Sequence, residues 1–165
     1  MLAPLSSLYY HLHDEAATLA LGAALSHVLV PGLVIYLQGD LGAGKTTLTR
    51  SILHHSGYSG HVKSPTYSLA EMYPIQIQGK EILLVHFDLY RLNDPYEFIE
   101  AGLNEEFNNF TIGIIEWPQK AQDLLPLPDI HIQFNFISNE RDVELHAHSE
   151  KGILCLNQLR FSPNI

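Results

Sequence analysis

The residues best suited to chemistry lie in one short segment. It reads Gly39-Asp40-Leu41-Gly42-Ala43-Gly44-Lys45-Thr46 and fits the pattern G-x-x-x-x-G-K-[ST] at every specified position. Glycines at these positions let the backbone come close to an anion, so that successive N–H groups converge on phosphates. Lys45 would supply a point charge for the β- and γ-phosphates, and the Thr46 hydroxyl is placed to ligate Mg²⁺. The pattern predicts a nucleotide-binding loop that runs through Thr47, a residue also expected to pack on the following helix.

The flanking sequence supplies the strand and the helix that such a loop requires. Residues 33–37 form an unbroken apolar and β-branched run, which is typical of a buried strand. After the glycines, Leu48, Ile52 and Leu53 recur at helical spacing, and the free N–H groups of that helix would add to the anion site. The alternative is a glycine-rich connection with an incidental lysine, and the strand-loop-helix context favours the nucleotide site.

Two acidic residues each end another apolar strand. Asp88 follows the run 82–87, and Glu116 follows the run 111–115. In an open α/β sheet, the carboxyl ends of parallel strands meet at one edge, which is also where the phosphate loop lies. Nucleotide hydrolysis needs a carboxylate near Mg²⁺ and a positioned water, so both acids are candidate catalytic residues. Either acid taken alone could instead be a helix cap or a surface residue.

Composition limits the kinds of partner and compartment. The chain has 165 residues, of which 46% are hydrophobic, and this length suits one domain spanning residues 1–165. With 9 basic against 18 acidic residues, the net charge of −9 argues against a broad phosphate-neutralising surface, so we expect any nucleic acid to be met through a partner. The single cysteine, Cys155, lies in an apolar run, so we expect its side chain to be buried. A lone cysteine also favours a protein of a reducing compartment.

Residues 16–39 contain no Asp, Glu, Lys or Arg and therefore invite comparison with a membrane span. Pro31-Gly32 divides this stretch, and neither half approaches the ~20 residues that a span needs. The first half is expected to be an amphipathic helix, capped by Asp14 and ending near Pro31, and the second half is the strand before the phosphate loop. No basic residue precedes the apolar N-terminal residues, so we expect no signal peptide, no membrane contact and a cytoplasmic protein.

The remaining pattern predicts further elements around the loop. We expect an edge strand within residues 1–13, strands at 66–73 and 111–115, a hairpin of 75–77 with 82–87, and helices starting at Asp94 and covering 104–109 and 150–160. A second hairpin with its turn at 138–141 would place Phe136 opposite Val143 and His131 opposite His148. We expect the histidines of this hairpin to line a solvated face, because a zinc site would want more convergent ligands.

Four segments stand out together: GDLGAGKTT at 39–47, SPTYSL at 64–69, HFDLYRL at 86–92 and IEWP at 115–118. In their order and separations they resemble the TsaE (YjeE) family of bacterial threonylcarbamoyladenosine synthesis. The resemblance implies an α/β P-loop fold with a mostly parallel central sheet, flanked by helices and carrying antiparallel hairpin strands. It also implies a Mg²⁺-dependent ATPase that works with TsaD and TsaB, which transfer threonylcarbamoyl to adenosine 37 of ANN-decoding tRNAs.

The same resemblance implies roles for single residues. Lys45 would hold phosphates, and Thr46 with Glu116 would hold Mg²⁺. Thr66 would lie in a switch-like loop close to the γ-phosphate. Asp88 would help to position the attacking water or the metal, and whether Asp88 or Glu116 is the base stays open at this stage.

Three neighbouring residues keep alternative roles. Trp117 would touch the nucleotide or the partner, or would pack at the rim of the site. Arg91 stands where an arginine finger could act, although a salt bridge or a partner contact is favoured. The family often carries another acid just after the IEWP block, whereas Gln119 stands there in this chain.

Two other function classes remain open. A small-molecule kinase would need an arginine-bearing lid and a basic acceptor pocket, and the chain has few arginines and no lid-like insertion. A nucleotide-dependent binding module would have negligible turnover of its own. A common GTPase is disfavoured because the chain has no N-K-x-D or T-K-x-D segment for reading the base.

Overall fold

A computed structural model describes residues 6–162 of the chain. Seven strands form one sheet: β1 Ser7–Leu12, β2 Val34–Gln38, β3 Ala70–Ile77, β4 Lys80–Asp88, β5 Thr111–Glu116, β6 Ile130–Ile137 and β7 Glu140–Ala147. Four α-helices accompany them: α1 Glu15–Ser26, α2 Lys45–His55, α3 Tyr96–Glu100 and α4 Glu150–Gln158. Short 3₁₀ helices cover Leu103–Glu106, Pro118–Lys120 and Gln122–Leu124. The predicted α/β class is confirmed.

The strand order across the sheet is β1-β7-β6-β2-β5-β4-β3. The four central strands, β6, β2, β5 and β4, run parallel to one another. At one edge β3 pairs antiparallel with β4, and at the other β7 pairs antiparallel with both β6 and β1. The parallel strands β2, β4 and β5 therefore end at the same edge of the sheet. This edge carries the phosphate loop together with the ends of the two acidic strands.

Both faces of the central strands are buried, which explains their unbroken apolar runs. Leu33, just before β2, enters with Ile35 and Leu37 of β2 a core shared with α1, α2 and α4. Val34 and Tyr36 of β2 enter a smaller core shared with α3. Side chains alternate between faces because the side-chain period of a strand is two residues. The phosphate loop is thus anchored to a strand that both cores hold in place.

The apolar stretch 16–39 contains a helix and a strand, as predicted. Asp14 caps α1, its carboxylate accepting a hydrogen bond from the Ala17 N–H at 2.9 Å. The helix ends at Ser26, five residues before the Pro31 end that was expected, because the His27 N–H already turns back to the Ala24 carbonyl. Across residues 6–162, the structure contains no helix long and apolar enough to cross a membrane.

The second hairpin differs from prediction in its register. Its turn is two residues long, Ser138-Asn139, with Ser138 in the left-handed region at φ 55°. Phe134, not Phe136, therefore faces Val143, and Phe136 faces Arg141. Because the shift is two residues, the same side chains stay buried, but Arg141 moves from the expected turn into β7.

The shorter turn also changes the predicted histidine pairing. His131 lies opposite His146, not opposite His148, and its ring centroid is 6.2 Å from that of His148.

Two element boundaries differ from those predicted from the sequence. The strand expected at 66–73 starts only at Ala70, because the Leu69 N–H closes a turn onto the Pro65 carbonyl at 2.7 Å. The helix expected at 104–109 is the 3₁₀ helix Leu103–Glu106.

Candidate active site

The phosphate loop joins the end of β2 to the start of α2. Gly44 is the residue before α2 and has φ 109°, a conformation that an L side chain rarely adopts, and no side chain caps the helix. The first N–H groups of α2 therefore lack side-chain partners and face the loop, which is the usual basis of an anion site. A Cβ on Gly39 would lie 2.9 Å from the Phe134 Cβ, so this position also requires glycine.

The loop holds the Lys45 ammonium group at its centre. Lys45 is only 4% exposed, and its Nζ donates hydrogen bonds to the carbonyls of Gly39 and, at 3.4 Å, of Asp40. Nζ also lies 4.2 Å from the centroid of the Trp117 ring. Burial lowers the pKa of Lys45, and the charges of Glu116, Asp88 and Asp40 oppose that shift. A buried cation paired mainly with neutral carbonyls is well suited to receive an anionic oxygen.

Glu116 connects the loop to the interior of the sheet. The Thr46 hydroxyl donates to Glu116 Oε2 at 3.2 Å, and His86 Nε2 lies 2.5 Å from the same oxygen. Glu116 is 3% exposed and His86 is fully buried. Oxygen ligands from a hydroxyl and a carboxylate are those that Mg²⁺ prefers, so Thr46 and Glu116 are the described pair best able to hold this ion.

Asp88 lies beside Glu116, since the two residues are register partners on β4 and β5. Its Oδ2 accepts a hydrogen bond from the Thr66 hydroxyl at 3.2 Å, and its Oδ1 accepts one from the Tyr90 N–H at 3.1 Å. Burial raises the pKa of Asp88 and the Glu116 charge raises it further, whereas the hydrogen bonds from Tyr90 and Thr66 lower it. A carboxylate whose pKa is subject to these opposing effects is a candidate for orienting a water molecule or accepting a proton from it.

These groups share one cavity of about 260 Å³. Its lining unites the loop, the switch-like segment, the two acids and one distant cation: Leu41, Gly42, Ala43, Gly44, Lys45, Thr46, Thr47, Ser64, Thr66, Asp88, Glu116, Trp117 and Arg141. Gly39 and Asp40 contribute through the carbonyls that hold Lys45. Apart from Gly39 and Asp40, every residue singled out as catalytic, nucleotide-binding or metal-binding thus lines this one cavity.

The aromatic and basic residues near the rim separate into two groups. Trp117 lines the cavity, and its ring lies 5.0 Å from that of Tyr90. Arg91 instead lies over the Tyr67 ring at 4.5 Å and donates to the Tyr67 hydroxyl at 3.3 Å, outside the residues that line the cavity. Gln119 accepts a hydrogen bond from the Gln38 side chain at 3.3 Å.

Sequence reasoning missed two residues of the site. His86 lies in the segment HFDLYRL, and no role was predicted for it. The available signal was its position two residues before Asp88, which puts both side chains on the same face of β4. Arg141 lines the cavity, with its guanidinium donating to the Gly42 carbonyl at 3.4 Å. No local signal marks Arg141, because it lies 99 residues from Gly42 and reaches the loop only through the hairpin register.

Comparisons with known proteins identify a family for this chain. Residues 12–143 match the family model for "Threonylcarbamoyl adenosine biosynthesis protein TsaE". A Haemophilus influenzae protein named tRNA threonylcarbamoyladenosine biosynthesis protein TsaE is 42% identical over 153 residues, covering 90% of this chain and 94% of its own. The Bacillus subtilis protein of the same name is 31% identical over 136 residues, covering 82% of each chain.

A solved structure shares the fold. The crystal structure of Bacillus subtilis YdiB superposes with a TM-score of 0.71 at 24% sequence identity, covering 96% of this chain and 97% of that one. At this identity the likeness supports the architecture alone. The family model spans most of the sequence and the relatives align along nearly their whole length, so the chain belongs to the TsaE family of threonylcarbamoyl adenosine biosynthesis proteins.

Proposed function

We propose that this chain is a Mg²⁺-dependent ATPase that supports threonylcarbamoyl transfer to adenosine 37 of ANN-decoding tRNAs, together with TsaD and TsaB. The observation that carries the proposal is the convergence of Lys45, Thr46, Asp88 and Glu116 on one cavity behind an uncapped helix. A phosphate-binding backbone, a buried cation and two carboxylates are the parts that phosphoryl transfer to water requires. The names of the relatives supply the pathway.

Glu116 and Asp88 have different roles in this proposal. Glu116 is already hydrogen-bonded to Thr46, so this pair would hold Mg²⁺, and the ion would supply positive charge beside the phosphates. Asp88 is hydrogen-bonded to Thr66 on the other side of the cavity, so this second pair orients the attacking water and Asp88 receives its proton. Lys45 exchanges the Gly39 and Asp40 carbonyls for phosphate oxygens.

Arg141 supplies a second positive charge to the same phosphates. Its Nε is buried and has no hydrogen-bond partner among the described residues, and its guanidinium lies against the loop at Gly42 and Gly44. The planar guanidinium of an arginine binds the oxygens of a phosphate better than it binds a single carbonyl oxygen. In this arrangement the arginine acts in cis, carried by β7.

The partner proteins account for recognition of tRNA. A net charge of −9 and a pI near 5.4 give this chain little attraction for nucleic acid by itself. Tyr67, next to Thr66, is 84% exposed, and Leu41 on the phosphate loop is 65% exposed. Large exposed apolar groups beside a catalytic cavity are suited to contact with another protein. We therefore propose that TsaD and TsaB meet this chain near the loop, in the cytoplasm where tRNA is modified.

The kinase alternative has less support. A separate cavity of about 430 Å³ borders Gln38 and Gln119, but no lysine or arginine is among the described residues that line it. A kinase for an anionic small molecule would need cationic groups there. A binding module with negligible turnover differs from the proposal only in rate.

The test is ATP hydrolysis by the purified protein, alone and with TsaD and TsaB. Lys45→Ala and Glu116→Gln are the loss-of-function variants, and Arg160→Ala, at an exposed arginine outside the cavity lining, is the surface control. The proposal expects slow turnover alone, a rise with the partners, loss in both site variants and retention in the control. Phosphorylation of a small molecule without any effect of the partners would favour a kinase. Nucleotide binding without turnover in every mixture would favour the binding module.

A further inference from the structure

A cluster of histidines and carboxylates lies away from the nucleotide cavity, where β1 pairs with β7. His11 of β1 is the register partner of Asp142 on β7. Glu140 lies two residues before Asp142 on β7, so these two side chains share a face of the strand. His13 follows the last residue of β1, and its ring centroid is 4.6 Å from that of His11. The four side chains thus meet on one face at the end of this edge pair.

The candidate donor atoms of the cluster lie close enough together to share one ion. His11 Nε2 lies 2.7 Å from Glu140 Oε2, and His13 Nδ1 lies 3.5 Å from Glu140 Oε1. Within residues 6–162, these three side chains form the one group whose candidate donor atoms all lie within 4.8 Å of one another. A tetrahedral Zn²⁺ with bonds of 2.0–2.1 Å holds its donors roughly 3.3 Å apart.

The second nitrogen of His11 is also accounted for. Its Nδ1 lies 2.6 Å from Asp142 Oδ1. A ligating histidine in metal sites almost always donates its other ring N–H to a carboxylate, which fixes the tautomer and orients the ring. Asp142 is therefore placed as the outer partner that would leave His11 Nε2 free to bind an ion.

We propose that His11, His13 and Glu140 bind a divalent first-row transition metal ion, with Zn²⁺ as the ion that two imidazoles and one carboxylate suit best. This donor set favours Zn²⁺ over Mg²⁺, which prefers oxygen ligands and keeps its waters. The side chains of His11 and His13 are 38% and 55% exposed, so the fourth position is open to water.

The site would close the end of the β1–β7 pair. Arg141 lies between Glu140 and Asp142 in sequence, and its side chain is on the opposite face of the strand, against the phosphate loop. The bound ion would thus fasten edge strand β1 to the strand that carries Arg141. This inference stands on the cluster alone and does not depend on the proposed ATPase activity.

The test is titration of untagged, EDTA-treated full-length protein with ZnCl₂ by isothermal calorimetry. The expected result is one Zn²⁺ per chain with a Kd at or below about 10 µM, weakened at least tenfold by His11→Gln/His13→Gln and by Asp142→Asn. The matched control is His146→Gln/His148→Gln, which removes two histidines from the same hairpin region and should retain the wild-type Kd. Wild-type binding by the His11/His13 variant, or no saturable binding by the wild-type protein, would overturn the proposal.

A second measurement keeps the inference falsifiable if the double variant folds poorly. Glu140→Gln retains both imidazoles and removes one ligand charge. Co²⁺ added to wild-type protein should give the intense visible absorption of a four-coordinate ion, and Glu140→Gln should reduce that absorption while its thermal unfolding in EDTA stays cooperative. Identical spectra for wild type and Glu140→Gln would contradict the assignment.

Discussion

Replacing His86 with leucine tests how the interior of the sheet supports the Glu116 carboxylate. His86 Nε2 is 2.5 Å from Glu116 Oε2, and both residues are buried. Leaving a buried carboxylate without this partner costs about 3 kcal/mol. His86 Nδ1 is buried and has no partner among the described residues. Removing this unpaired polar atom therefore raises the free energy of unfolding by about 1 kcal/mol. The expected net loss is about 2 kcal/mol of unfolding free energy, or a Tm lower by about 4–8 °C.

The assay is a double-mutant cycle by urea unfolding in EDTA with His86→Leu, Glu116→Gln and the combined variant. When residue 116 is neutral, the buried charge is gone, so His86→Leu should then cost less than about 0.5 kcal/mol. Leucine is close to histidine in volume, which keeps packing changes small. Equal destabilisation by His86→Leu in both backgrounds would refute the reasoning, because the loss would then come from packing and not from the pair.

Three further outcomes follow from local geometry. Gly152→Ala should lower the unfolding free energy by about 2 kcal/mol or more, measured by urea unfolding, because its Cβ would lie 2.0 Å from the Asp129 carbonyl oxygen; unchanged stability would contradict this. Burial raises the pKa of the Cys155 thiol to about 11, so iodoacetamide at pH 8 should label it only in denaturant, as mass spectrometry would show; labelling of the folded protein would disprove its burial. Arg141→Ala should weaken ATP binding at least about tenfold in calorimetry, whereas Arg91→Ala should not; equal effects would remove the role proposed for the arginine in β7.

The parts of the site that follow from local sequence were predictable. The phosphate loop could be recognised from the sequence because its glycines and its lysine lie within one short segment. The strand and the helix beside it also show clear hydrophobic patterns. Asp88 and Glu116 were predicted to lie close together because each ends a buried strand, and the carboxyl ends of parallel strands lie at one edge of the sheet. Their register pairing on β4 and β5 agrees with that rule.

The parts that depend on long-range register were not predictable in the same way. Arg141 reaches Gly42 only because the turn at Ser138-Asn139 is two residues long, and a four-residue turn was equally compatible with the apolar pattern. The meeting of His11 with Glu140 depends on an edge strand that pairs with β7 across more than a hundred residues of sequence. Neither contact leaves a periodic signal along the chain.

The most direct test of the central claim is reconstituted tRNA modification. Purified TsaD, TsaB and an unmodified ANN-decoding tRNA would be supplied with a threonylcarbamoyl donor, Mg²⁺ and ATP, and threonylcarbamoyladenosine would be quantified by mass spectrometry. Addition of this chain should allow repeated turnover, and Lys45→Ala, which removes the charge at the centre of the loop, should not. Equal product yields with the wild-type chain and Lys45→Ala would contradict the account.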